Sequence, residues 1–123
     1  MDKNNPTVRL HVWLETDSGV LFGSGRATLL NNIEKYGSLK KAAENMGMSY
    51  RAAWGKIRKT EDILGYKLIV KTGKNRRYQL SELGKELMEK FQFWLDKVEQ
   101  EALKEAREIF PWSTEIRKEK MRE

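Results

Sequence analysis

Cysteine is absent from the 123 residues, and histidine occurs once, as His11. The first absence excludes disulfide frameworks, thiolate zinc sites and cysteine nucleophiles, and makes a reducing cytoplasm the natural setting. With a single histidine and no clustered carboxylates in a recognisable pocket motif, the chain also lacks the usual acid, base and metal groups. His11 has no companion ligands or nearby nucleophile, so it reads as an ordinary strand residue. The segment Gly23-Ser24-Gly25 lacks the Gly-Lys-Ser/Thr ending of a phosphate loop and reads as a strand-to-helix connection. No catalytic group, metal or cofactor is expected, and an enzyme is the reading least supported. No apolar run approaches the roughly 18 residues needed to span a bilayer, and the opening MDKNNPTVRL has no signal-peptide core. A cytoplasmic protein that does not engage membranes is expected. The length excludes a second large domain but allows one modest core with an appendage.

Charge is abundant, at 34% of residues with a net of +6, and it is unevenly placed. From Lys35 to Arg77, twelve Lys/Arg face three acids, a net of +9, whereas residues 1–34 carry −1 and residues 78–123 carry −2. Positive charge concentrated in the middle third of an otherwise balanced chain is the footprint of a polyanion-binding surface. A merely solvated face is the plainer alternative, but the flanks are also rich in charge and yet balanced.

The stretch VRLHVWLETDSGVLFGSG alternates Val8, Leu10, Val12 and Leu14 with Arg9, His11, Trp13 and Glu15, then turns at Asp-Ser-Gly, which predicts a β-hairpin. From Arg26 the period becomes helical through Ala27, Leu29, Leu30, Ile33 and Tyr36, with Gly37 as stop. Ser38 can cap a second helix bearing Leu39, Ala42, Ala43 and Met46. After Gly47, Ser49 can cap a third with Ala53, Trp54, Ile57 and Leu64, ended by Gly65. Small residues at Ala42 and Ala43 let two helices approach, and Gly47 lets the turn reverse, which makes a helix-turn-helix. The segment KLIVKTGKNRRYQL predicts strands at Leu68 to Lys71 and Arg76 to Leu80, a basic hairpin placed as a wing. Ser81 caps an amphipathic stretch reaching Phe110, roughly 45 Å if unbroken. Its stripe comprises Leu87, Phe91, Trp94, Val98, Ala102 and Ile109, and Phe93 and Leu95 are expected to widen the buried surface. Pro111 ends the helix, and STEIRKEKMRE is expected to be a frayed or short helical tail.

The predicted fold is mainly α with β-hairpins: a winged helix-turn-helix over residues 1–80, including the N-terminal hairpin, and a long dimerisation helix with tail over 81–123. In such a fold the third helix enters the major groove of double-stranded DNA with its N-terminal turn toward the base edges. Arg51 can pair with guanine O6 and N7 or neutralise phosphate, and Ser49 and Tyr50 can donate to phosphate or a base edge. Lys56, Arg58 and Lys59 continue the basic face. Ser38, Lys40 and Lys41 lie at the start of the second helix, and Lys74, Arg76 and Arg77 lie in the wing. A homodimer through residues 81–110 would bury the long stripe, folding back over the same core being the alternative. Trp54 is expected in the core or at a subunit contact. Gly55 costs about 1 kcal/mol relative to alanine inside a helix, so a close approach by DNA or another helix is expected there.

The segments VWLE, GSGRATLLNNIEKYGSLKKAAENMGMSYRAAWGKI, LIVKTG and LSELGKELM, in this order, resemble the N-terminal DNA-binding domain of ModE-type, molybdate-responsive transcription regulators, related to the winged helices of the LysR group. The resemblance covers most of residues 8–110. It implies a winged helix-turn-helix dimer held partly by the long helix, with Ser49, Tyr50 and Arg51 opening the recognition helix. Two departures follow. Nothing after Phe110 is long enough for the family's oxyanion-binding region, so a stand-alone DNA-binding module is expected, and the wing is the shorter TGKNRR. The alternative function is a winged-helix module whose basic patch binds an acidic protein partner.

Overall fold

The computed structural model describes residues 4–73 and 77–118. Along the chain come β1 (Thr7–Val8), β2 (Trp13–Thr16), β3 (Gly19–Gly23), α1 (Ser24–Tyr36), α2 (Leu39–Asn45), α3 (Tyr50–Leu64), β4 (Ile69–Thr72), β5 (Arg77–Leu80), α4 (Glu82–Ile109) and β6 (Glu115–Ile116). The expected mainly helical fold with small hairpins is observed. Among the described residues, no helix is long and apolar enough to cross a membrane.

Local chemistry sets most boundaries. Ser38, Ser49 and Ser81 each accept a backbone N–H of the first helical turn, from Lys41, Ala52 and Gly84. Each cap thereby satisfies one of the donors that a helix start leaves unpaired. Gly37 and Gly65 end α1 and α3 in the left-handed region, at φ 64° and 77°, which side-chain-bearing residues enter only at a cost. Between α2 and α3 the Ala43 carbonyl accepts from both Met46 and Met48. This closes the tight turn around Gly47, at φ +68°.

The core is built around α1. Leu29, Leu30 and Ile33 are fully buried against Leu39 and Ala42 of α2, Ala53 and Ile57 of α3, Phe22 of β3, and Phe91 and Leu95 of α4. Burial of each large aliphatic or aromatic side chain contributes about 1.5–3 kcal/mol, so this cluster is the principal stabilising term. Polar ties fix the elements around it. The Thr60 hydroxyl donates to the Leu21 carbonyl at 2.5 Å, and Arg26 Nε donates to the Lys56 carbonyl at 3.3 Å. Glu61 is buried and accepts from the Leu68 and Ile69 amides at 2.8 and 3.5 Å, turning the chain from α3 into β4.

The β4–β5 hairpin is antiparallel, with Ile69 opposite Leu80 and Thr72 opposite Arg77. It hangs on α1: the Tyr78 amide donates to the Gly37 carbonyl at 3.0 Å, and the Leu80 amide to Glu34 at 3.3 Å. Ser81 donates through its hydroxyl to the Lys67 carbonyl and through its amide to that of Leu68. A Cβ on Gly84 would collide with the Leu68 carbonyl oxygen. Absence of a side chain at Gly84 is what lets α4 start against β4.

Three expectations need correction. The first hairpin pairs only Trp13–Thr16 with Gly19–Gly23, with a bulge between Leu14 and Glu15. Thr7 and Val8 pair elsewhere. Among the described residues beyond Pro111, Glu115–Ile116 form a strand where a frayed or short helical tail was expected: β6 runs parallel to β1, Thr7 opposite Glu115 and Val8 opposite Ile116. The Arg117 amide donates to the Val8 carbonyl, and the Thr114 hydroxyl to the Pro6 carbonyl. Partners 108 residues apart decide this, so local periodicity could not show it. Finally, the buried line of α4 is Gly84, Phe91, Leu95, Glu99 and Leu103, whereas Phe93 and Ile109 are 65% and 71% exposed. Leu95 widens the buried surface as expected, but Phe93 faces solvent. The last two turns of α4 extend past the core, which leaves Ile109 uncovered.

Candidate nucleic-acid interface

At about 100° of rotation per residue, α3 divides cleanly. Ala53, Ile57, Thr60 and Glu61 are buried, whereas Arg51, Ala52, Gly55, Arg58, Lys59 and Asp62 are exposed on the opposite side, and Tyr50, in line with the buried face, is exposed at the helix start. The apolar spacing of the inner face holds α3 in place, and the outer face is thereby free to meet a partner. Neither α2 nor α3 carries an acidic residue in its first turn. The partial positive charge of these two helix starts is therefore not offset locally, a condition that suits anionic oxygens.

Within this arrangement the predicted residues have different surroundings. Ser38 and Ser49 use their hydroxyl oxygens as cap acceptors, at 3.1 and 3.0 Å, so their first task is to start α2 and α3. Lys40 and Lys41 are exposed at the start of α2, and Tyr50 and Arg51 are exposed at the start of α3. Lys56 is half-buried, and its carbonyl receives Arg26. The Arg58 guanidinium lies 6.0 Å from the centre of the Trp54 ring, an attractive cation–π placement that also holds the arginine beside the outer face. Lys59 leans toward the first hairpin: its Cε lies 3.1 Å from where a Cβ on Gly19 would stand. Arg77 folds back over Gly37, its guanidinium 2.8 Å from a Cβ position there, beside the carbonyl end of α1 where positive charge is favoured. Lys74 and Arg76 lie outside the described residues.

Trp54 is half-buried and packs edge-on against Tyr78 of β5, with ring centres 6.0 Å apart. It thus joins α3 to the wing instead of presenting its face to a base. Met46 and Met48 pack beneath the turn, partly buried against the core. One further cation, Lys71, is exposed on β4 opposite Tyr78. Its membership of the basic hairpin was the sequence signal for it. Among the described residues, no group of three or more His, Cys, Asp or Glu side chains is placed to hold a metal ion.

Parts of this chain are similar to known proteins. The chain is 32% identical over 78 residues to the molybdenum transport protein ModE of Azotobacter vinelandii, an alignment covering 61% of this chain and 29% of that protein. It therefore spans less than a third of that relative's length. Vibrio fischeri DarR, solved in complex with DNA, superposes with a TM-score of 0.55 at 20% identity over 70% of this chain and 29% of its own. ArgP from Mycobacterium tuberculosis superposes at 0.51, also at 20% identity, over 80% of this chain and 44% of its own. These two likenesses concern the fold. Residues 26–85, which run from α1 through the wing into the first turn of α4, match the model of the bacterial regulatory helix-turn-helix protein, lysR family.

Proposed function

We propose that the chain binds double-stranded DNA as a two-fold dimer and regulates transcription, with α3 in the major groove and α2 across the adjoining backbone. The observation that carries this reading is the outer face of α3, where Arg51 and Arg58 stand exposed, with Lys40 and Lys41 exposed at the start of α2. Arg51, in the first turn of α3, is the base-reading residue, because a guanidinium can pair with guanine O6 and N7 together. Lys40, Lys41 and the wing cations neutralise phosphates, which gives affinity without sequence preference and a steep dependence on salt. The dimer forms along α4 through the half-exposed edge made by Leu87, Trp94 and Val98, so that two α3 helices face successive major grooves.

Selection of bound genomic fragments by the purified protein at two salt concentrations identifies the preferred site. On that site Arg51→Ala should lower affinity by roughly tenfold or more while binding to unrelated duplex changes little. Lys40→Ala with Lys41→Ala should weaken all duplexes alike and flatten the salt dependence by about two phosphate contacts. Unchanged binding of both variants would remove the assigned surface.

A further inference from the structure

Glycine inside a helix destabilises it relative to alanine, so its presence calls for a compensating reason. For other glycines of this chain the fold itself supplies one. Gly37, Gly47 and Gly65 hold left-handed backbone, and Gly84 has the Leu68 carbonyl where a side chain would be. Gly55 has neither. It lies in the middle of α3 with ordinary helical backbone, and among the described residues a Cβ built on it has no neighbour within 4 Å. Close packing by another helix of the same chain, the internal explanation, is thus excluded.

Its angular position supplies the remaining one. With about 100° per residue, Gly55 falls at the centre of the exposed arc of α3, with Arg51 and Arg58 on one side and Ala52 and Lys59 on the other. Over the first turns of α3 the face is positive at its margins and bare along its middle, and the carboxylate of Asp62 follows about 20° from the Gly55 line two turns farther along the axis. A polyanion with a groove fits that relief: phosphates run along both rims of the major groove, and the base edges form its floor. The segment from Lys35 to Arg77 carries the complementary charge, at +9.

We propose that Gly55 is a specificity-determining residue, the point at which α3 touches the floor of the major groove, where the missing side chain lets the helix sit deep enough for Arg51 to reach base edges. The inference rests on the DNA-binding reading above and goes beyond it by assigning depth of insertion to one residue. A methyl group at position 55 would lift the helix from the floor. Contacts to the phosphate rims, made by long flexible side chains, would adapt, whereas the short bidentate contacts to bases would not.

The test uses the complete chain. A preferred fragment is first selected with the wild-type protein, and affinities of wild type and Gly55→Ala are then measured by fluorescence anisotropy on that fragment and on an unrelated duplex. Because space is open and alanine favours the helix, Gly55→Ala should melt a few degrees higher than wild type. Its affinity for the selected fragment should nevertheless fall roughly tenfold or more, with binding to the unrelated duplex and the salt slope unchanged. Equal affinity of variant and wild type for the selected fragment would overturn the inference while leaving the DNA-binding reading intact. So would an equal loss on both duplexes. A wild-type protein that prefers no fragment at either salt concentration would overturn both.

Discussion

Arg51 and Gly84 show how differently single residues can be read. Arg51 declares its role through charge and position, one residue into a capped helix, and the structure adds that it is exposed. Gly84 declared nothing in sequence, because its reason is the Leu68 carbonyl, sixteen residues earlier, packed where a Cβ would stand. Alanine there must displace backbone instead of a flexible side chain. Gly84→Ala should therefore destabilise the fold by about 1–3 kcal/mol, an overpacking cost that outweighs any gain in helix propensity. Urea denaturation followed by circular dichroism measures this, and a variant as stable as wild type would show that β4 and α4 can part at no cost. Gly55 has the same composition and the opposite environment, so the matching substitution there should stabilise. Trp54 was expected inside or at a subunit contact, and it lies half-buried on Tyr78, with Arg58 over its ring.

At the scale of elements, the distal half of α4 is held by a clasp made of both ends of the described chain. The β1–β6 pair lies along it, and Lys118 donates to the buried Glu99 carboxylate at 2.6 Å, with Asp96 at 3.5 Å. Arg107 reinforces the return of the chain by donating to the Thr114 carbonyl at 2.9 Å. The hydrogen bond to Glu99 holds the Lys118 ammonium above its usual pKa, with the nearby charges of Glu99 and Asp96 adding to it. Since the folded value is raised, the stabilisation is fully present below the ordinary lysine pKa of 10.5 and is lost as pH rises through the folded value. Melting temperature should thus fall more steeply in this alkaline range for wild type than for Lys118→Met. At neutral pH the variant should melt lower, because Glu99 is left buried without its cation. Parallel melting curves across the alkaline range would show that the pair contributes nothing to the clasp.

On the scale of the whole molecule, a long helix with one edge half-covered and a basic face some distance away suits assembly on a two-fold site. Trp94 is 38% exposed and leans edge-on against Phe91, with ring centres 5.7 Å apart. Trp94→Lys keeps the helix but places a charge on the proposed seam. Analytical ultracentrifugation should show it shifting a wild-type dimer toward monomer, with affinity for a two-half-site fragment falling far more than affinity for one half-site. An unchanged sedimentation profile would place the dimer contact elsewhere or remove it. Serine caps, left-handed glycine stops, hydrophobic periods and the basic middle third are local properties. For that reason α1, α2, α3, the wing and the outward direction of Arg51 could be read from the order of residues alone. The parallel pairing of β1 with β6, the burial of Glu99, the solvent exposure of Phe93 and the open space at Gly55 depend on groups distant along the chain. Only the packed fold decided them, because a hydrogen-bond partner or a colliding atom contributed from far away leaves no mark on neighbouring residues.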